Sequence, residues 1–297
     1  DNKDLLVEQF LQKEVKNEDI KRIEKKYKIN GWFVIYAERR FTYHLWERKF
    51  DNKKYTNIEL KKIFVGLFSY FEKSLSNVDL LLTHPTASAW GVVMIMVAQN
   101  LGVKVANINT LNIPKNRAIF TESVFRLWTS LPQEINSLKK KKSNKKGKSL
   151  SNYYIKKYRE ELYLPSYLNL AKTQSSLLKF FNKRKVLRFI NLLILKYINK
   201  NNKIHIENPI TRISQFFVFN FRKKIFYFLL NKHFLKPSED DIFLYFPLHV
   251  MPEAALLING NKCLNQYALI EKIAYQLPMN YTLVVKEHPT MVGWRSR

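Results

Sequence analysis

Val78 to Ile108 reads VDLLLT-HPT-ASAWGVVMIMVAQNL-G-VKVANI. Val78–Thr83 is a short apolar run of strand type. Ala87–Leu101 is apolar nearly all round, which predicts a well-buried helix, and Gly102 fits its C-cap. Val103–Ile108 predicts a second strand. Strand, helix and strand joined by short loops imply parallel strands with a right-handed crossover. Toward the N-terminus, Trp32–Tyr36 (WFVIY) is expected as a further strand, and Leu60, Ile63, Phe64, Leu67 and Phe71 recur at helical spacing. This flank reads as half of a doubly wound α/β domain. The pattern returns after Lys236-Pro237. Asp241–Phe246 (DIFLYF) predicts a strand stopped by Pro247, Asn265–Gln276 a helix, and Tyr281–Lys286 (YTLVVK) a strand. One strand–helix–strand unit cannot cover both faces of a sheet, so the C-terminal domain is expected to be incomplete at Arg297.

The chain has 297 residues, enough for two domains, and its 7 Gly and 10 Pro exclude a collagen-like or Pro/Gly-rich disordered chain. A single cysteine excludes a disulfide framework and a Cys-based zinc site. Cys263 is expected as a small buried apolar residue. No uncharged run of eighteen apolar residues occurs, which argues against a spanning helix, and no basic-then-apolar leader with a small-residue cleavage site is visible in the given sequence. Lys and Arg number 51 against 24 acids, a net charge of +27. Asn136–Leu235 holds 24 basic and 3 acidic residues, so +21 lies in the middle third and +6 elsewhere. Such a balance points to an anionic membrane, a nucleic acid or an acidic substrate. Lys139–Lys148, with seven lysines in ten residues, is expected as an exposed, mobile loop. Val186–Ile198 and Ile213–Leu230 are expected helices, either packed with basic outer faces or lying on an anionic membrane. The predicted organisation is an N-terminal α/β domain over 1–135, a basic, mainly helical connecting segment over 136–240, and the start of a second α/β domain over 241–297.

Ligands of open α/β sheets bind outside the C-terminal ends of the strands. After the strand at 241–246 stand His249 and Glu253, and after the strand at 281–286 stand Glu287, His288 and Pro289. Each strand end thus offers an imidazole and a carboxylate beside a stiffening proline. Imidazoles can donate to phosphate or ribose oxygens, and carboxylates can accept from hydroxyls. His84, at the end of the strand at 78–83, and Glu38 with Arg39 and Arg40, after the presumed first strand, are the candidates for proton transfer or phosphate stabilisation. Arg117 is a candidate binder of an acidic group. His44, His205 and His233 are isolated. No His-Glu-x-x-His pattern or Asp-rich loop points to a metal.

The wording of this segment is more specific than its periodicity. Tyr245-Phe246-Pro247-Leu248-His249, Pro252-Glu253, Asn265-Gln266 and Leu283-Val284-Val285-Lys286-Glu287-His288-Pro289, followed by Gly293 and Arg295, resemble the capsular polysaccharide synthesis family. Thr83-His84-Pro85, Gly91 and Arg117 through Trp128 carry a weaker likeness to that family's N-terminal half, and 136–235 carries none. The resemblance implies a bacterial GT-B glycosyltransferase with two doubly wound domains, the donor nucleotide lying mainly on the C-terminal one. It implies transfer of Kdo, an acidic eight-carbon sugar, from CMP-Kdo to a lipid-linked or growing glycan, with no catalytic metal or cofactor. By the same likeness His288 and Pro289 would hold the cytidine monophosphate, and Glu287 would contact ribose or base. His249, Glu253, Gln266 and Arg117 would line the cleft, and the catalytic group would be sought at His84 or Glu38. The place implied is the inner face of the cytoplasmic membrane, beside other capsule-assembly proteins. Without the second half of the donor domain the chain is expected to be inactive. Two alternatives remain at this stage: a basic nucleic-acid-binding protein, although no recognised motif supports one, and a nucleotide-sugar epimerase on the same frame.

Overall fold

Thr56-Asn57-Ile58-Glu59 opens a helix by reciprocal capping: the Glu59 amide donates to Thr56 Oγ1 (3.2 Å) and the Thr56 amide donates to the Glu59 carboxylate (2.9 Å). The computed structural model describes residues 2–42, 55–84, 86–111, 117–124, 131–140, 145–160, 183–198, 209–230, 234, 237–238, 240–251, 253–288 and 291–292. Among these, the elements before the first sheet are α1 (Asn2–Leu11), α2 (Asn17–Tyr27), α3 (Gly31–Tyr36), α4 (Arg39–Thr42) and α5 (Asn57–Ser74). Then come β1 (Leu80–Thr83), α6 (Ala89–Asn100), β2 (Lys104–Leu111) and β3 (Arg117–Thr121). The basic middle supplies α7 (Leu131–Lys140), α8 (Lys145–Glu160), α9 (Lys183–Ile198) and α10 (Pro209–Leu230). The last elements are β4 (Phe243–Pro247), α11 (Gln266–Gln276) and β5 (Thr282–Lys286). The protein is thus a mixed α/β molecule with small sheets. Two compact units are distinguished. One comprises 67–86 and 90–176, the other 1–66, 87–89 and 177–297.

In the first of these units β1 pairs with β2 in parallel, Leu80 opposite Lys104 through Thr83 opposite Asn107. A parallel pair needs a long crossover, and α6 supplies it. Its Val92, Val93, Ile95 and Val97 are wholly buried. Gly102 ends the crossover at φ +76°, the left-handed cap the sequence predicts. The third strand, β3, runs antiparallel to β2, Asn107 opposite Thr121, so the sheet is mixed rather than the all-parallel half-domain expected. The register places Leu81, Thr83, Val105, Asn107 and Thr121 on one face, where the last three are buried. Leu80, Leu82 and Phe120 stand exposed on the other.

Two further expectations are corrected. Trp32–Tyr36 is part of helix α3, not a strand. An apolar run of five residues has no period of its own, and the preceding residue decides it: the Asn30 side chain accepts a hydrogen bond from the Trp32 amide, an N-cap. Gly31, Val34 and Ile35 are then buried while Trp32 and Tyr36 are exposed, the helical alternation. The lysine tract is not a loop where it is described, because Lys139 and Lys140 close α7 and Lys145–Lys148 open α8. Lysine is a good helix former, and charges on a solvated helix are screened within about 8 Å at physiological salt. The predicted helices of the middle are present as α9 and α10.

In the unit holding 1–66, α1 docks on α5 through an approach that only glycine permits. A Cβ at Gly66 would overlap the ring of Phe10, which is itself buried. Close by, Lys62 Nζ donates to the Leu11 carbonyl (3.0 Å). We expect Gly66→Ala to lower the unfolding free energy by about 1–3 kcal/mol, because a buried ring must move to admit the methyl group. Urea denaturation is the measurement, and an unchanged midpoint would contradict this contact.

Candidate functional site

β4 and β5 are parallel and in register from Phe243 opposite Thr282 to Pro247 opposite Lys286, so both strands end on one edge as the sequence predicts. The ladder continues one step past Pro247, where the Leu248 amide donates to the Lys286 carbonyl (2.9 Å). The two motifs follow this edge: Leu248-His249-Val250-Met251 after β4 and Glu287-His288 after β5.

His249 is held through its backbone by a residue seventeen positions away. Gln266 Oε1 accepts from the His249 amide (2.7 Å), and Gln266 Nε2 donates to the His249 carbonyl (3.2 Å). The side-chain amide thus pairs with His249 as a neighbouring strand residue would, while the imidazole stays exposed. Gln266 is only 3% exposed. It sits in the first turn of α11, which Asn265 caps by accepting from the Ala268 amide (3.1 Å). The expectation that Gln266 would line a ligand cleft is therefore corrected. The residue is buried, and both of its polar atoms are used on the main chain.

On the neighbouring strand end, Glu287 Oε1 accepts from the His288 amide (2.8 Å). The carboxylate thus curls back on its own loop. His288 is half-buried, and its carbonyl accepts from the amide of the buried Met291 (2.8 Å). Glu253 is exposed, and its carbonyl accepts from the Leu256 and Leu257 amides, starting the π-type turn at Ala255–Asn259. Cys263 is exposed in the 3-10 turn that follows, which corrects the expectation of a buried thiol. A one-turn 3-10 segment with every residue of Asn261–Cys263 outside the core has no apolar face to hide it. Pro252, Pro289, Gly293, Arg295, His44, His205 and His233 lie outside the described residues.

The remaining candidates do not join this edge by any described contact. Glu38 is 3% exposed and sits between two short helices, its amide donating to the Ile35 carbonyl and its carbonyl accepting from the Phe41 amide. The strand end on which its candidacy rested does not exist. Arg39 follows it in α4, as does Arg40. His84 is exposed at the C-terminal end of β1, and Arg117 is exposed at the start of β3 opposite Leu111. The register sets them three residues apart along β2, about 10 Å, and two strand spacings across. Sequence reasoning missed a polar row beside them. Asn107 Nδ2 donates to the Ser123 carbonyl (3.1 Å), Asn109 Nδ2 donates to Thr121 Oγ1 (2.7 Å), and Asn107 Oδ1 is buried without a partner. Their alternation in Asn107-Ile108-Asn109 was the available signal, since residues two apart share a strand face. Among the described residues no group of three or more His, Cys, Asp or Glu is placed to hold a metal ion.

No family model matches this chain, and no curated protein or solved structure is similar enough to carry an argument.

The clamp makes a prediction. Gln266→Ala would strand the amide and carbonyl of His249 and should cost about 1–3 kcal/mol in urea denaturation. It should also speed hydrogen exchange at the His249 amide, whereas Gln266→Glu, which keeps the acceptor, should be milder. Unchanged exchange in Gln266→Ala would show that the amide is held by something else.

Proposed function

We propose that this chain belongs to a glycosyltransferase of surface polysaccharide assembly, an enzyme that transfers Kdo from CMP-Kdo to a glycan acceptor. The observation that supports this reading is the side-by-side ending of two parallel strands, one presenting His249 and the other Glu287 and His288, within the wording that resembles the capsular polysaccharide synthesis family. On this reading β4, α11 and β5 belong to the donor-nucleotide domain of a GT-B enzyme, and the mixed sheet of β1–β3 belongs to the acceptor side.

The chemistry follows from the donor. The bond between the anomeric carbon of the sugar and the phosphate oxygen of CMP breaks, and a new bond forms from that carbon to an acceptor hydroxyl. Negative charge gathers on the departing phosphate, and the acceptor oxygen gives up a proton. A strand-end imidazole is suited to donate a hydrogen bond to the phosphate, and we assign that role to His288. On the same likeness the Glu287 carboxylate, in the loop that follows β5, is assigned the ribose hydroxyl. His249, with its main chain fixed by Gln266, presents a second imidazole to the same edge. For the acceptor proton, His84 and Glu38 were the sequence candidates. Glu38 is buried and His84 is exposed, so the base is assigned to His84. Arg117 remains the candidate for the acidic group of the sugar.

The test is calorimetry of CMP binding to the protein. His288→Ala should weaken binding by about 1.5–3 kcal/mol, the value of a hydrogen bond to a charged group, with an unchanged thermal transition, because a loop residue at a strand end adds little to the core. Equal CMP affinity in the variant and its parent would remove the assignment.

A further inference from the structure

α9 and α10 touch each other, and each turns a line of apolar side chains to solvent. On α10, Ile210, Phe217, Phe221 and Phe228 are exposed at spacings of seven, four and seven, which places them on one line along the helix; Phe228 is 86% exposed. On α9, Leu187, Ile190, Ile194 and Tyr197 are exposed at spacings of three, four and three, and Tyr197 is 82% exposed. A helix of a soluble domain ordinarily buries such a stripe. The two helices together carry nine Lys and Arg and no Asp or Glu. Arg184 and Arg188 on α9, and Arg222 and Lys224 on α10, are exposed as well.

We infer that this pair of helices is a docking surface for an anionic lipid membrane, lying in the plane of the interface with the apolar stripes in the acyl boundary and the basic residues among the head groups. Three observations choose this occupant. Apolar lines of Ile, Leu, Phe and Tyr on two helices that carry cations and no acid match the two halves of a membrane interface. A second copy of the chain would bring nine like charges against nine and be repelled. A nucleic acid would satisfy the cations but leave the aliphatic lines uncovered. The orientation follows as well. No described helix is long and apolar enough to cross a membrane, and Arg222-Lys223-Lys224 interrupts α10, so the pair lies on the bilayer. The inference is independent of the transfer chemistry and stands or falls without it.

The experiment is co-sedimentation of the whole protein with vesicles of phosphatidylglycerol and phosphatidylcholine in equal parts, and with vesicles of phosphatidylcholine alone. Binding to the mixed vesicles is expected at low salt and should fall sharply near 1 M, where screening acts within about 3 Å. Replacing the exposed Phe217, Phe221 and Phe228 together by Ser should reduce the partition coefficient by roughly tenfold or more, with circular dichroism and thermal transition unchanged. Arg222→Gln with Lys224→Gln should reduce it by about fivefold per charge removed. Equal binding to both vesicle types, or none to either at low salt, overturns the inference. So does undiminished binding by the triple Ser variant, which would leave only diffuse charge attraction. A dimer in sedimentation velocity that the Ser variant breaks, without vesicle binding, would assign the surface to a second copy. Retention on RNA or DNA that the Ser variant abolishes, again without vesicle binding, would assign it to nucleic acid. CMP affinity is read separately, so failure here is distinguishable from failure of the transferase reading.

Discussion

Parallel strands cannot be joined by a tight turn, and most of what can be said about this protein follows from that constraint. β1 and β2 need α6 between them, and β4 and β5 need α11. The return route does more than connect. α11 begins where the chain has come back beneath the end of β4, so the first turn of the crossover helix lies against the loop that leaves the strand. Gln266 stands in that turn and completes the hydrogen bonding of His249. A reversed second strand would put its own end, and with it Glu287 and His288, at the opposite edge. Strand direction is therefore what assembles two histidine-bearing loops on one side.

The parts of the fold that were legible in the sequence are those where pattern and punctuation agree. α6 was readable from twelve nearly all-apolar residues and a glycine at its end, and the glycine adopts the left-handed backbone that such an end requires. The strand at 282–286 and the helix before it were bounded by Asn265 and by the turn at Pro278. Trp32–Tyr36 failed because a five-residue apolar run fits either period, and a single capping amide settled it. The lysine tract failed for a different reason. A run of like charges suggests disorder by composition, whereas lysine on a solvated surface opposes helix formation only weakly. β3 was missed because Arg117–Thr121 is short and pairs antiparallel after a parallel step, a change of direction that local composition does not encode.

For the candidate site, residue types were legible and roles were not. That the two strands carrying these motifs end on one edge was legible from the strand–helix–strand order. That Gln266 is a clamp rather than a ligand could not be read, because a side-chain-to-backbone pair across seventeen positions leaves no periodic trace. Glu38 shows the converse. Its candidacy rested on a strand that is a helix, and its carboxyl group is shut inside. Burial of a charged side chain depends on which elements close over it, and composition does not carry that information.

The two parallel pairings also bear on the order in which the chain acquires its shape. Leu80 meets Lys104 across 24 positions, and Phe243 meets Thr282 across 39. The entropy of closing a flexible loop grows with the logarithm of its length, so the longer closure costs only about 0.4 kcal/mol more than the shorter. Both pairings are local on the scale of a 297-residue chain. Neither sheet has to wait for a segment far along the polypeptide, and during synthesis the β1–β2 pair can close while the β4–β5 region is still being made.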